Sequence, residues 1–318
     1  MNSLLLAHVS SFLEMQLWPL RAFELCLLTV TLSGVLGLLS VVIPALNSAS
    51  TIDLTLSSVF SSSFSRELFE VLVVDNGSSD ATVEVAQRFP VRVEHCAERG
   101  IGPPRNLGIR LARGNIVCLT DSDCVVERNW LRNIWRFFEQ NPGADGVGGP
   151  VLPYPQGQSK IQRLTGEIFL EDHRYPNRTK KVQFGSVSGI IFGSNSAFRK
   201  NVVTSAGGYS VGGSNLELAW RMVLMKRNLF FSPEIRVSHI FPSNLQSIFR
   251  QQFRWGAQST SMRRMYHLDE GAKDIAFISY FLVRRLLSLA FPRDLEKKLL
   301  QLTQLASYSL GRICGLSL

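Results

Sequence analysis

Asp121-Ser122-Asp123 places two carboxylates one residue apart, directly after the apolar run Ile116-Val117-Cys118-Leu119-Thr120. In an extended segment residues i and i+2 point to the same side, so the pair offers two hard oxygen ligands to one divalent cation at the end of a buried strand. Mg²⁺ and Mn²⁺ favour such ligands, and Mg²⁺ completes its shell with water and substrate phosphates. A lone Asp-x-Asp is usually a turn or a cap. The weight of the reading therefore falls on the elements around it.

Those elements alternate. Apolar, β-rich runs occur at Ser40–Ile43, Val71–Val74, Val91–Val93 and Ile116–Leu119, with helix-like stretches between them at Ala49–Phe60, Ala81–Arg88 and Pro104–Arg113. Strand–helix alternation at this spacing implies βαβ units and a mostly parallel sheet. Such sheets bind ligands beyond the carboxyl ends of their strands. Three of those ends are polar here: Asn47, then Asp75-Asn76-Gly77-Ser78, then Asp121-Ser122-Asp123. From Gly146 to Gly213 the chain is glycine-rich and less periodic, as loops that approach a ligand closely would be. Leu216–Lys226 and Ser243–Tyr266 read as helices.

At 318 residues and 45% apolar content the chain can bury a full core. Its five cysteines are scattered with no Cys-x-x-Cys pair, which predicts reduced thiols in a cytosolic setting and no structural zinc. The net charge is +9, and from Phe241 onward eleven Lys/Arg face five Asp/Glu. Without a nucleic-acid motif, that excess points to a lipid surface or a phosphorylated substrate and not to nucleic acid. Leu25–Leu46 runs 22 residues without a charge, long enough to span a bilayer, though its last part reads equally as the first strand. Residues 1–39 are thus an apolar extension: an anchor, an interfacial helix or a disordered segment. In the tail, Ile275–Val283 and Leu286–Phe291 are split by Arg284-Arg285, which suits a helix lying in a membrane interface or packing on the sheet. No Gly-x-Gly-x-x-Gly after a strand, Gly-x-x-x-x-Gly-Lys, Gly-x-Ser-x-Gly or His-Glu-x-x-His is present.

Taken in order, the segments resemble the family 2 inverting glycosyltransferases of GT-A fold. The resemblance is carried by Val42-Ile43-Pro44-Ala45-Leu46-Asn47, Val73-Val74-Asp75-Asn76-Gly77-Ser78-Ser79-Asp80, Arg105-Asn106-Leu107-Gly108-Ile109, and the Asp121-Ser122-Asp123 triplet. Gly193-Ser194-Asn195-Ser196-Ala197-Phe198-Arg199, Gly207-Gly208-Tyr209, Leu218-Ala219-Trp220-Arg221 and His239 follow. It implies an α/β, Rossmann-like, mostly parallel sheet flanked by helices over residues 40–260, with an amphipathic helical tail over 261–318. It also implies a sugar transferred with inversion from a nucleotide-diphospho-sugar to a lipid-linked or glycan acceptor, at the cytoplasmic face of a membrane. By the same resemblance Pro44 and Asn47 line the nucleotide pocket, Asp75 accepts from base or ribose, and Arg105 contacts phosphate or nucleotide. Asp121 lies by the ribose, while Asp123 and His239 hold Mg²⁺ or Mn²⁺. The cation would stabilise charge on the departing diphosphate, and a general base would take the acceptor's proton.

One departure matters. Aligning on Glu217-Leu218-Ala219-Trp220-Arg221 puts Ser214 and Asn215 where the family has Glu and its Asp base. Asparagine has no basic site near neutral pH but caps a helix as well as aspartate does. Three readings stay open: another carboxylate serves (Glu217 is nearest, then Glu167, Glu171 and Asp172); the acceptor is acidic enough to need no base; or donor is bound without turnover. Gln251-Gln252-Phe253-Arg254-Trp255 fits the Gln-x-x-Arg-Trp pattern of processive synthases, and Arg254 and Trp255 are candidate donor or acceptor contacts. A sugar nucleotidyltransferase is a further alternative, disfavoured because Pro44–Thr51 contains no glycine.

Overall fold

The computed structural model describes residues 37–183, 191, 193–210, 215–265 and 294–316. Strands β1 (Leu39–Ala45), β2 (Phe69–Asp75), β3 (Arg92–His95) and β4 (Ile116–Leu119) form a parallel block in the order β3-β2-β1-β4. The helices between them are α1 (Ile52–Phe60), α2 (Thr82–Ala86) and α3 (Gly102–Leu111). Strands β1, β2 and β4 are largely apolar on both faces because both are covered, while the edge strand β3 is polar and half-exposed. Val41, Ile43, Val71, Val73, Ile116 and Cys118 face one core, and Val42, Leu72, Val74, Val117 and Leu119 the other.

Helix α4 (Trp130–Gln140) closes the first core with Trp130, Leu131, Ile134 and Phe138. On the second face α3 lies against β1 and β2. A Cβ on Gly108 would collide with the Val42 side chain, so this glycine permits the close approach, and with it the placement of Arg105 one turn earlier.

The glycine-rich stretch holds more regular structure than its composition suggests. β6 (Gly146–Gly148), β8 (Lys180–Lys181) and β9 (Ser196–Arg199), with β10 (Leu229–Phe231), extend the sheet to eight strands, and β9 runs antiparallel between β4 and β6. Helix α5 (Lys160–Asp172) also lies there, opened by a capping box in which Ser159 and Gln162 satisfy each other's backbone N–H. Helices α6 (Lys200–Ser205) and α7 (Asn215–Leu224) cover the second core. A separate three-stranded sheet, order β5-β11-β7, joins Cys124–Val126, Val237–His239 and Val151–Pro153.

Asn195, fully buried, ties the two sheets together. Its Oδ1 accepts from Trp130 Nε1 at 2.9 Å, and its Nδ2 donates to the carbonyls of Pro150 and Ile235 at 2.8 and 2.7 Å.

The described tail is a pair of helices, α8 (Leu245–Met265) and α9 (Leu295–Leu316). Ile248 shares a cluster with Leu300, Gly256 abuts Tyr308, and Thr260 Oγ1 donates to the Arg312 carbonyl at 3.1 Å, so the helices run parallel. Lys297 on α9 reaches Glu167 and Glu171 on α5 at 3.1 and 2.8 Å. No helix among the described residues is long and apolar enough to cross a membrane. Residues 1–36 and the apolar blocks Ile275–Val283 and Leu286–Phe291 lie outside the described residues.

Candidate active site

The loops after β1, β2 and β4 are laced together at one end of the parallel block. Asn47, in the left-handed region at φ 50°, accepts from Ser79 N at 2.8 Å through Oδ1, while its own N–H donates to Ser78 Oγ at 2.9 Å. Asparagine tolerates that backbone conformation better than most residues. Ser48 N–H donates to Thr82 Oγ1 at 2.7 Å, and the Ser48 and Ser122 hydroxyls share a 2.7 Å hydrogen bond. Asp75 is 2% exposed. Its Oδ2 accepts from the backbone of Gly77 and Ser78 at 3.1 and 3.2 Å and lies 3.3 Å from His95 Nδ1. Pro44, paired in register with Val74, sits just past the last β1–β4 pair, Val42 with Leu119. It therefore forfeits no ladder bond on that side.

Arg105 points from α3 into this end and is 4% exposed. One Nη2 donates to Asp121 Oδ1 at 2.5 Å, and the guanidinium lies 5.4 Å from the Tyr209 ring centroid. Burial works against its charge, but Asp121, with Tyr209 and Asp123 behind it, holds its pKa above the ordinary arginine value. Its Nε and Nη1 are buried with no hydrogen-bond partner. Buried, unsatisfied N–H groups on a cation are costly, and a phosphate oxygen is an acceptor that would satisfy them.

The register of the small sheet brings Asp123 and His239 together. Cys124 pairs with His239 across antiparallel strands β5 and β11, and Ile240 N–H donates to the Asp123 carbonyl at 2.9 Å. Asp123 Oδ2 thus lies 3.3 Å from His239 Nε2. Burial opposes both charges, yet each stabilises the other: the Asp123 carboxyl is lowered and the His239 imidazolium raised. The His239 Nδ1 is buried without a partner, and the ring meets Phe241 edge-on at 4.7 Å.

Asp123, Cys124 and His239 form a cluster whose ligand atoms lie within 4.8 Å of one another. A carboxylate oxygen and an imidazole nitrogen are donors that Mn²⁺ accepts, and the carboxylate suits Mg²⁺. The Cys124 thiol is pushed well above its usual range, first by burial and then by Asp123 and Asp121. A hard cation prefers the oxygen and nitrogen donors to this thiol. The residues present therefore fit a hard divalent cation.

The triplet itself departs from the extended geometry expected of it. Cys124 N–H donates back to the Asp121 carbonyl at 3.2 Å, so Asp121-Ser122-Asp123 is a turn. Its carboxylates are sent to different partners, Asp121 to Arg105 and Asp123 to His239. Asn215 opens α7. Glu217, 1% exposed, is bound at both oxygens by Arg221, Nε at 2.9 Å and Nη2 at 3.0 Å. Arg254 and Trp255 are exposed on α8, which packs chiefly against α9. Glu167 and Glu171 are turned to Lys297. Two participants were not singled out from sequence: Ser48, for which no signal distinguishes one loop serine from its neighbours, and Tyr209, visible only as the residue after Gly207-Gly208.

A mostly parallel sheet with these polar strand ends and an appended small sheet defines the GT-A class of nucleotide-diphospho-sugar transferase folds. A mannosyltransferase from Pyrobaculum calidifontis, solved in complex with GDP-Man and Mn²⁺, shares it with a TM-score of 0.63 at 18% identity, over 87% of this chain and 86% of that one. So does Staphylococcus aureus TarS 1-349 in complex with UDP-GlcNAc, TM-score 0.54 at 13% identity, over 87% and 90%. The model of glycosyl transferase family 2 matches residues 40–205, and the chain belongs to that family. Among its curated relatives are two Haloferax volcanii proteins. Glycosyltransferase AglE is 34% identical over 139 residues, 42% of this chain and 45% of the relative. Glucosyl-dolichyl phosphate glucuronosyltransferase is 29% identical over 163 residues, 49% and 50%. The chain spans about half the length of these relatives.

Proposed function

We propose that this chain transfers a sugar, with inversion, from a nucleotide-diphospho-sugar to a lipid-linked or glycan acceptor, with Mg²⁺ or Mn²⁺ as cofactor. The observation that carries the reading is the convergence, at one end of the parallel block, of an Asp123–His239 pair that offers a carboxylate oxygen and, once deprotonated, an imidazole nitrogen to a cation, and an Arg105 whose Nε and Nη1 are buried without partners. Cationic and anionic receptors side by side match a metal-bound diphosphate. Asp123 and His239 would hold the cation, which supplies charge stabilisation to the departing nucleoside diphosphate. Arg105 would bind phosphate oxygens through its unpaired Nε–H and Nη1–H groups. Asp121 keeps Arg105 in place and faces the ribose; Asp75, Asn47 and Pro44 frame the nucleotide end. We place Arg254 and Trp255 on the acceptor side.

The acceptor's proton is the open step. Glu217 is 1% exposed and bonded at both oxygens to Arg221, and Asn215 cannot take it at all. That arrangement favours a second reading, a protein that binds donor without turning it over. Purified protein with Mn²⁺ and a panel of nucleotide sugars separates the two. Transfer or hydrolysis supports the enzyme; saturable binding without either, unrescued by Asn215→Asp, supports the binding protein. Release of pyrophosphate would instead indicate a nucleotidyltransferase.

We also propose peripheral contact with a membrane at its cytoplasmic face, through the exposed Leu245 and Phe249 of α8 beside Arg250. Recovery of the protein wholly in the soluble fraction at every ionic strength would contradict this.

A further inference from the structure

Arg105 is held in an uncommon way. A single carboxylate oxygen bonds one end of its guanidinium, and the rest is supported by an aromatic face, Tyr209 at 5.4 Å, within cation–π range. Tyr209 is 4% exposed, and burial pushes its hydroxyl up to about 12, so the ring is neutral.

The ring is delivered with care. Asn106, the residue after Arg105 on α3, grips the Tyr209 backbone at both ends, Nδ2 to the carbonyl and the N–H to Oδ1, each at 2.8 Å. That grip needs Gly208, which sits at φ 65° and where a Cβ would strike Asn106 Oδ1. Behind it, Arg221 donates to the carbonyls of Ala206 and Gly208, and Glu217 anchors Arg221 at two points.

A second carboxylate would hold Arg105 as firmly, but it would consume the remaining N–H groups and neutralise the charge. An aromatic face supports a cation without using any N–H. We propose that Tyr209 is a positioning residue that holds Arg105 by its face so that its unpaired Nε–H and Nη1–H groups stay available to the donor diphosphate, with Asn106 and the Glu217–Arg221 pair as its brace. This rests on the donor-binding reading above and gives Glu217 work other than proton transfer.

The test uses the full chain, UDP and GDP as probes with Mn²⁺, and calorimetric titration. Tyr209→Phe should bind within about twofold of the parent and Tyr209→Leu about tenfold more weakly. In an Arg105→Gln background, Tyr209→Leu should cost nothing further, since the two act as one unit. Additive losses would overturn the proposal. A second readout needs no ligand: the Arg105 Nε–Hε NMR resonance should be ring-current shifted in the parent and in Tyr209→Phe, and should move in Tyr209→Leu. If Tyr209→Leu does not fold, Asn106→Ala, which frees the Tyr209 backbone, carries the same expectation. An unmoved Arg105 resonance sinks the positioning role. Failure of the parent to bind either nucleotide sinks the donor reading instead.

Discussion

At the scale of single residues, two ion pairs near the site differ in what their loss should do. Asp121 is the hydrogen-bonded counter-charge of buried Arg105. Asp121→Ala leaves that cation uncompensated and should destabilise the fold by about 3 kcal/mol, the low end for a broken buried pair because Asp121 is partly exposed. Thermal unfolding measures this. For Glu217 the structure sets a contrast between brace and base. As a brace, Glu217→Gln weakens Arg221's hold on the Ala206–Gly208 turn and should lower the melting temperature. A loss of transfer of a thousandfold or so with unchanged melting would instead mark a base. Much of this site was legible in the sequence. Asp75, Asp121 and Asp123 stand out by type and by place at strand ends, Arg105 and His239 by the family resemblance, and the structure brings them to one end of the parallel block. Their pairings were not legible, because they depend on a turn at Asp121–Cys124 and on the β5–β11 register, which joins positions more than a hundred residues apart.

At the scale of elements, the four parallel strands and their helices follow from apolar runs of the right length, and the structure moves their ends by only a few residues. The stretch from Gly146 to Gly213 misled, because its glycines are needed for close backbone approach inside regular structure. A Cβ on Gly146 would come within 2.5 Å of the Phe198 ring, and one on Gly149 would strike the Ile235 carbonyl. Helix α5 opens on the Ser159-x-x-Gln162 capping box, and Ser159→Ala should cost about 1 kcal/mol. The α8–α9 pair depends on small residues in the same way. A Cβ on Gly256 would strike the Tyr308 carbonyl, and one on Gly311 the Phe253 carbonyl. Gly256→Ala should therefore force the helices apart at a cost of about 1–3 kcal/mol. Faster hydrogen exchange in α9, with β1–β4 unaffected, is the expected signature; uniform exchange would contradict the close crossing.

At the scale of the whole molecule, the large sheet and the small one contribute different halves of one receptor. The parallel block supplies Asp75, Asp121 and the helix carrying Arg105, and the small sheet supplies the Asp123–His239 pair. Asn195 fixes one to the other through Trp130, Pro150 and Ile235. A receptor assembled this way should couple its halves, so that cation and nucleotide bind more tightly together than apart. Reciprocal enhancement of about 5- to 150-fold is the ordinary range for such coupling. The most direct measurement is the affinity of the full chain for UDP-sugars and GDP-sugars by calorimetry, with Mn²⁺ and again with EDTA, in the parent and in Asp123→Asn. The expected result is tight binding of at least one of them with Mn²⁺, lost on chelation and equally lost in Asp123→Asn with the fold intact. Binding indifferent to both the metal and Asp123 would contradict a metal–diphosphate site at this end of the sheet.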